Sequence, residues 1–241
     1  MSFTVIAPIF NEEKNIPILF EEILASCNKV PLTQVIFVND ASKDKSETQL
    51  KKIKNTKFMF ISHDSTLGQS AAIHTGIINS KNDIIITIDG DLQNDPADIP
   101  SLFKKFSDLK KNEVFIQGFR HLRKDTISKV IASKIANYIR VLILDDNHPD
   151  SGCGIKIFNQ SDYMLLPHFK NMHRFMPFLF KMIGCNTHSI KVNHRNRHSG
   201  VSNYNNIGRA LAGIYDLFGI IWLKKRYLKS FHTLEKKIND K

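Results

Sequence analysis

The sequence predicts an α/β fold, a mostly parallel β-sheet flanked by helices and followed by a C-terminal amphipathic helix. Three observations predict it. Short runs of β-branched apolar residues alternate with helical stretches through residues 1–120, the βαβα pattern of parallel strands joined by right-handed crossovers. The run Ile84–Ile88 is apolar at nearly every position, as a strand covered on both faces requires. Polar residues collect where three of the strands end, and ligands of parallel sheets bind outside those carboxyl ends.

The elements follow in order. Phe3–Pro8 reads as the first strand and Glu13–Ser26 as a helical stretch. Gln34–Asn39 is the second strand, and Asp44 or Ser46 can cap a helix over Ser46–Lys54. Phe58–Ser62 and Asp83–Ile88 are strands on either side of a helix at Gln69–Ile78. Asp95-Pro96 opens a helix over Ala97–Leu109, before a strand at Val114–Gly118. The second half is less regular: a long helical pattern at Thr126–Leu144, a strand at Cys153–Phe158, an apolar helix at Met172–Ile183 and a strand at Asn186–His194. A polar loop, Arg195–Ser202, leads into a final helix over about Tyr204–Leu223. One domain over residues 1–223 with a basic, polar tail at 224–241 is the expected organisation, and 241 residues suffice to bury a core.

The net charge of +11 is unevenly placed. Residues 1–100 carry 9 Lys/Arg against 13 Asp/Glu, whereas residues 101–140 and 194–241 each carry 10 against 3. Two basic segments in the second half point to an anionic partner: phosphates, nucleic acid or a membrane surface. Cys27, Cys153 and Cys185 are widely spaced and fit neither a disulfide framework nor a zinc site, which suggests a reducing cytosol. The start, MSFTVIAPIF, has no basic n-region, so no signal peptide is expected. No apolar stretch reaches the roughly 20 residues of a spanning helix.

The chemistry concentrates in IIITIDGDLQNDP at 84–96. Two carboxylates, Asp89 and Asp91, emerge from a buried strand two residues apart and repel unless something positive lies between them. On extended backbone, alternate side chains share a face, so Gln93 adds a third oxygen on the same parity. Hard oxygen ligands of this kind suit a divalent cation, against the plainer reading of an exposed Asp-Gly-Asp turn. The ends Pro8-Ile9-Phe10-Asn11-Glu12 and Asn39-Asp40 belong to neighbouring strands and are expected at the same cleft. No GxGxxG follows the first strand and no GxxxxGK[ST] occurs, which disfavours a dinucleotide fold and a P-loop.

The motifs PIFNEE at 8–13, VNDASKD at 38–44, LGQSAAIHTG at 67–76, DGDLQNDP at 89–96, GFR at 118–120, DSGCGIKIF at 150–158 and RHSGVSNY at 197–204 span nearly the whole chain. Their content and order resemble family 2 glycosyltransferases of the GT-A (Rossmann-like) fold, and more narrowly the polyprenyl-phosphate, dolichol-phosphate-mannose-synthase-like branch. The resemblance implies an inverting, metal-dependent transfer of a sugar from a UDP- or GDP-sugar to a polyprenyl (undecaprenyl- or dolichyl-type) phosphate. Residues 1–120 would form the nucleotide-sugar-binding half and residues 121–223 the acceptor-binding half.

Under that resemblance Pro8 and Phe10 wall the nucleotide pocket, while Glu12 and Asp40 accept hydrogen bonds from base or ribose. Asp91 and Gln93 hold Mg²⁺ or Mn²⁺, and Asp89 supports the nucleotide side. Arg120 is a catalytic residue that grips the acceptor phosphate, with Arg123 close behind it in the sequence. Lys129 and Ser133, at i and i+4, face the acceptor phosphate, where relatives commonly carry Arg and Ser. Arg197 matches an arginine near the donor diphosphate; Asn203 stands where a lysine is often found. Asp150 is the candidate base or acceptor-positioning carboxylate. A phosphate monoester with a second pKa of about 6 is already an anionic nucleophile at neutral pH, which favours orientation over deprotonation.

Ile214–Leu223 is too short to span a bilayer, but Trp222, Tyr227 and Lys224-Lys225-Arg226 suit an interfacial helix at an anionic membrane surface, or else an ordinary core helix with a basic end. The expected location is the cytoplasm, peripheral to the inner face of the cytoplasmic membrane. His63, His74, His168, His173 and His188 are assigned no catalytic role. The alternatives are a family 2 transferase acting on a glycan or glycolipid hydroxyl and a basic nucleic-acid-binding module; the latter lacks interleaved aromatics and any binding-fold motif, so no nucleic acid is expected. A homo-oligomer remains open.

Overall fold

A computed structural model describes residues 1–109, 113–120, 138, 140–146, 148–196 and 206–227, the last segment by backbone alone over 206–212. Among these residues seven strands form one sheet: β1 (Phe3–Ile9), β2 (Leu32–Asn39), β3 (Phe58–Ser62), β4 (Ile84–Thr87), β5 (Val114–Arg120), β6 (Lys156–Asn159) and β7 (Asn186–Val192). Their spatial order is β3-β2-β1-β4-β6-β5-β7. β1 pairs parallel with β2 and β4, β2 with β3, and β5 with β7. β6 alone runs antiparallel, with Ile157 opposite Ile86 of β4 and Ile116 of β5. The chain entering β6 therefore meets the carboxyl ends of β4 and β5, and this is the topological reason that residues 150–155 reach the site.

Both faces of the sheet are covered, as the continuous apolar runs require. Phe3, Val5, Ala7 and Ile9 lie in one core cluster with Ile16, Leu19, Phe20 and Ile23 of α1 (Ile16–Ser26) and Ile99, Leu102 and Phe106 of α4 (Ile99–Asp108). Ile6, Ile36, Val38, Ile85 and Phe158 lie in the other, with α3 (Gln69–Ile78), α6 (Met176–Met182) and the inner side of α7 (Asn206–Arg226). Alternate residues of a single strand thus feed opposite clusters.

Several expectations shift. The helix expected from Glu13 starts at Ile16, with a proline in its first turn. Neither Asp44 nor Ser46 is the N-cap of α2 (Ser46–Lys52): Lys45 is, while Asp44 Oδ1 accepts from the Ser46 amide at 2.9 Å and Ser46 Oγ from the Glu12 amide at 2.9 Å. Asp95 opens a 3-10 turn, Pro96–Asp98, by accepting from the Ala97 amide at 3.0 Å. β6 starts at Lys156 rather than Cys153, because the Cys153 and Gly154 carbonyls accept from the Gln117 and Thr87 side chains instead of a ladder. The expected helix Met172–Ile183 divides into a 3-10 turn, Met172–Arg174, and α6, which has a proline in its first turn. A helix of five residues, α5 (Gln160–Met164), was too short to show periodicity. α7 runs on to Arg226, so its basic residues belong to the helix. Of Thr126–Leu144 only the end is described, and 140–144 is helical. Among the described residues no helix is long and apolar enough to cross a membrane.

Candidate active site

Three strands end at one rim, and each following turn contains a non-glycine residue in the left-handed region: Asn11 (φ 58°) after β1, Ala41 (φ 54°) after β2 and Leu92 (φ 62°) after β4. Backbone of this kind persists only where surrounding contacts hold it, and it gathers at functional sites. Asn11 is fixed by a bond from its amide to Ser42 Oγ at 2.9 Å and from the Lys43 amide to its own Oδ1 at 2.8 Å. Pro8 and Phe10 are half-buried beside it, and Glu12 Oε2 accepts from Asn15 Nδ2 at 2.5 Å.

Asp40 is buried and acts on its own loop. Its Oδ1 meets His63 Nδ1 at 2.8 Å and the Leu67 amide at 2.9 Å, and Oδ2 accepts from the Gly68 amide at 2.8 Å. A carboxylate offers about four acceptor directions, so these bonds leave little for a ligand. His63, which carries no role in the sequence reading, is held on its other nitrogen by Thr75 Oγ1 at 2.9 Å.

The strand before Asp89 stops at Thr87, and the turn at Leu92 breaks the extended backbone on which the shared face of Asp91 and Gln93 was argued. Strand parity therefore does not place Asp91 and Gln93 on one face. Leu92 is instead a buried plug, and Asp91 Oδ1 accepts from the Gln93 amide at 3.1 Å, closing an Asx turn. Asp89 accepts from Gln69 Nε2 at 2.9 Å. A Cβ at Gly154 would coincide with the Asp89 carboxylate, and one at Gly90 would lie 2.8 Å from the Pro8 carbonyl oxygen, so both glycines are required by close approach. Burial, and then the charge of Asp91, push the Asp89 carboxyl up to about 6, against the opposing pull of Lys156 and Arg120. Two carboxylates this close, with the Gln93 side chain beside them in sequence, are hard oxygen donors of the kind a divalent cation takes. Among the described residues no group of three or more His, Cys, Asp or Glu gathers as a metal cluster, and such cations are commonly held by one or two carboxylates.

The other wall is a buried ion pair. Arg120 Nε donates to Asp150 Oδ2 at 2.6 Å and Nη2 to Oδ1 at 2.8 Å, a fork on a carboxylate. Burial works against the guanidinium charge, but Asp150 outweighs it and holds Arg120 above its ordinary value. Gln117, on the same strand, donates from one amide nitrogen to the carbonyls of Asp150, Ser151 and Cys153 at 3.1, 2.9 and 2.9 Å. Lys156 is buried and donates to the Cys153 carbonyl at 2.6 Å; desolvation lowers its pKa while Asp89 opposes that shift. His148, also buried, accepts from the Asp150 amide through Nδ1 at 3.3 Å, and desolvation brings its pKa down to about 4. Arg140 binds both Asp146 and the His148 carbonyl.

The chain after β7 is fastened to the carboxylate loop. His194 pairs with Asn94, the Arg195 amide donates to the Gln93 carbonyl at 2.9 Å, and the Arg195 guanidinium bridges Glu22 at 2.6 Å and Asp95 at 2.5 Å. Lys129, Ser133, Arg123, Arg197 and Asn203 lie outside the described residues. The sequence reading did not single out Gln69, Gln117, His148, Gly154 or Lys156. Lys156 left one signal, a charge inside the apolar strand IKIF, which demands a buried partner.

The family model described as glycosyl transferase family 2 matches residues 4–163. The dodecaprenyl-phosphate galacturonate synthase of Rhizobium johnstonii is 31% identical over 240 residues, covering 96% of this chain and 70% of that protein. The undecaprenyl-phosphate 4-deoxy-4-formamido-L-arabinose transferase of Pectobacterium carotovorum is 28% identical over 224 residues; the match covers 89% of this chain and 65% of that protein, just under two thirds of its length. Among solved structures, glucosyl-3-phosphoglycerate synthase from Mycobacterium tuberculosis shares the fold at 16% identity. In complex with Mn²⁺, UDP-glucose and phosphoglyceric acid it gives a TM-score of 0.66, covering 90% of this chain and 80% of that one. The same synthase with Mg²⁺ and UDP gives a TM-score of 0.65 at 15% identity, covering 90% and 79%.

Proposed function

The chain belongs to glycosyl transferase family 2, and from that membership we propose that it transfers a sugar from a nucleotide-sugar donor to a polyprenyl phosphate, with inversion at the anomeric carbon. Two relatives named for polyprenyl-phosphate products or substrates support the acceptor class. The observation that carries the reading is the meeting of two charge systems at one rim: Asp89 seated on Gly154, and Arg120 forked onto Asp150 a few residues before it.

Asp91 and Gln93, backed by Asp89, would hold Mg²⁺ or Mn²⁺. When bound, the cation supplies Lewis-acid stabilisation of the charge that builds on the leaving nucleoside diphosphate. A phosphate oxygen of the acceptor forms the new bond to the anomeric carbon as the bond to the donor diphosphate breaks. An anionic phosphate needs no base, and Asp150, committed to Arg120, works as an orienting group. It aims the guanidinium, which offers its remaining N–H donors to phosphate. Asp40 frames the nucleotide pocket through the 63–68 loop, while Pro8, Phe10 and Glu12 line it; Arg197 adds charge on the donor side, and Lys129 and Ser133 on the acceptor side. The polyprenyl tail places the reaction at a bilayer surface.

Incubation with radiolabelled UDP- or GDP-sugar, Mn²⁺ and undecaprenyl phosphate tests the reading. Label entering a mild-acid-labile lipid is expected; transfer only to a glycan or glycolipid hydroxyl would overturn the acceptor assignment.

A further inference from the structure

Helix α3 begins without a side-chain cap. Its N-cap is Gly68, at φ 96°, which has no side chain to accept from the first-turn amides. The start of the helix is aimed by contacts from elsewhere in the chain. Asp40 accepts from the Leu67 and Gly68 amides just before it. At the next two positions, neighbouring side chains reach different partners. Gln69 Nε2 donates to Asp89 Oδ1 at 2.9 Å, and Ser70 Oγ lies 2.7 Å from His173 Nδ1. The His173 amide donates to the same Ser70 oxygen at 3.3 Å, so a residue 103 positions away grips Ser70 through both backbone and ring. Ser70 is buried, which shields both contacts from water.

The turn that carries His173 is itself held on both sides. Met172 and Phe175 lie in the second core cluster. Asn171, in the left-handed region at φ 66°, donates from Nδ2 to Asp216 Oδ2 of α7 at 3.0 Å. A fixed turn bonded to the first turn of α3 fixes the backbone from which Gln69 reaches its carboxylate, and a group at a site is only as well placed as the residues behind it. We propose that His173 is a positioning residue: acting through Ser70, it sets Gln69, and so the carboxylate of Asp89, in the geometry that donor binding requires. Ser70 and Gln69 stand next to each other in the chain, so displacing one moves the other. The inference rests on the proposed function for the ligand concerned, a nucleotide sugar bound with a divalent cation.

Calorimetric titration of the full chain with UDP- and GDP-sugars in Mn²⁺ tests it without acceptor or turnover. His173→Gln should raise the donor dissociation constant about tenfold, the scale of one lost hydrogen bond near charge. His173→Asn should stay within about twofold of the wild type, because an Asn amide reaches the place of Nδ1 and a Gln amide the place of Nε2. Ser70→Ala removes the hydroxyl with little change of volume, and should repeat the loss of the Gln variant with an unchanged circular dichroism spectrum. Gln69→Met should also weaken the donor about tenfold, and His173→Gln/Gln69→Met no more than about twofold beyond either single change, whereas independent roles would multiply to about 100-fold. With the wild type binding donor, three results would overturn the inference: unchanged affinity in both His173→Gln and Ser70→Ala, equal losses in His173→Asn and His173→Gln, or a multiplicative double variant. Each of these leaves the transfer reaction standing. A wild type that binds no nucleotide sugar would overturn the proposed function and this inference together.

Discussion

The carboxylate of Asp89 occupies the space in which a side chain at Gly154 would begin. One residue therefore depends on the absence of a side chain at the other, across the boundary between β4 and the segment entering β6. Gly154→Ala should displace the carboxylate and lower turnover about 100-fold, with a stability loss of about 1–3 kcal/mol, the usual cost of overpacking. Steady-state kinetics with a parallel thermal melt separates the two effects.

Replacing Asp150 with Asn should lower turnover and leave donor binding intact, because its carboxylate is committed to Arg120. The pair is largely buried, so stability should also fall by about 3–5 kcal/mol, as for a broken internal ion pair. Arg120→Lys keeps the charge and loses the fork, and should also lower turnover. Calorimetric donor titration, a turnover assay and a denaturant melt test these statements in turn; a wild-type rate in the Asn variant would remove Asp150 from the site.

Asp40→Asn should act on donor affinity. One oxygen that now accepts becomes an amide donor, facing either the Gly68 amide or the Leu67–His63 pair. The 63–68 loop should loosen and KM for the nucleotide sugar rise about tenfold with kcat little changed, the signature of lost uniform binding.

The buried imidazole of His148 sets a pH dependence of stability. Its pKa stands at about 4 in the folded chain against an ordinary 6.5, so the unfolded chain binds the extra proton between those values. The stability from keeping the ring neutral is fully present above pH 6.5 and is lost as pH falls toward 4, by about 3 kcal/mol. His148→Asn, whose amide oxygen can still accept from the Asp150 amide, should flatten denaturant midpoints measured across that range.

Much of the sheet was legible from sequence. β3 and α3 fall on the bounds that periodicity indicates, since each is a local pattern. The three polar strand ends also meet as topology requires. Less was legible where a contact joins distant segments. Gln117, Gly154 and Lys156 acquire their roles only because β6 inserts between β4 and β5, a pairing that no short window of sequence records. Strand parity does not hold across Asp91 and Gln93 for a related reason: Leu92 serves the core, and the backbone turns to let it do so.

Arg120 ends β5 and Asp150 stands on the chain coming back toward β6, and their side chains close that point like a clasp. The fork thus fixes where the chain comes back toward the sheet, and the Gln117 bonds to the backbone of 150–153 reinforce it. The register of the donor-side strands β1 to β4 does not depend on this clasp, because their pairings with one another lie elsewhere in the sheet. In evolutionary and engineering terms the two residues are a graft junction, and a chimera between relatives should be cut immediately outside them.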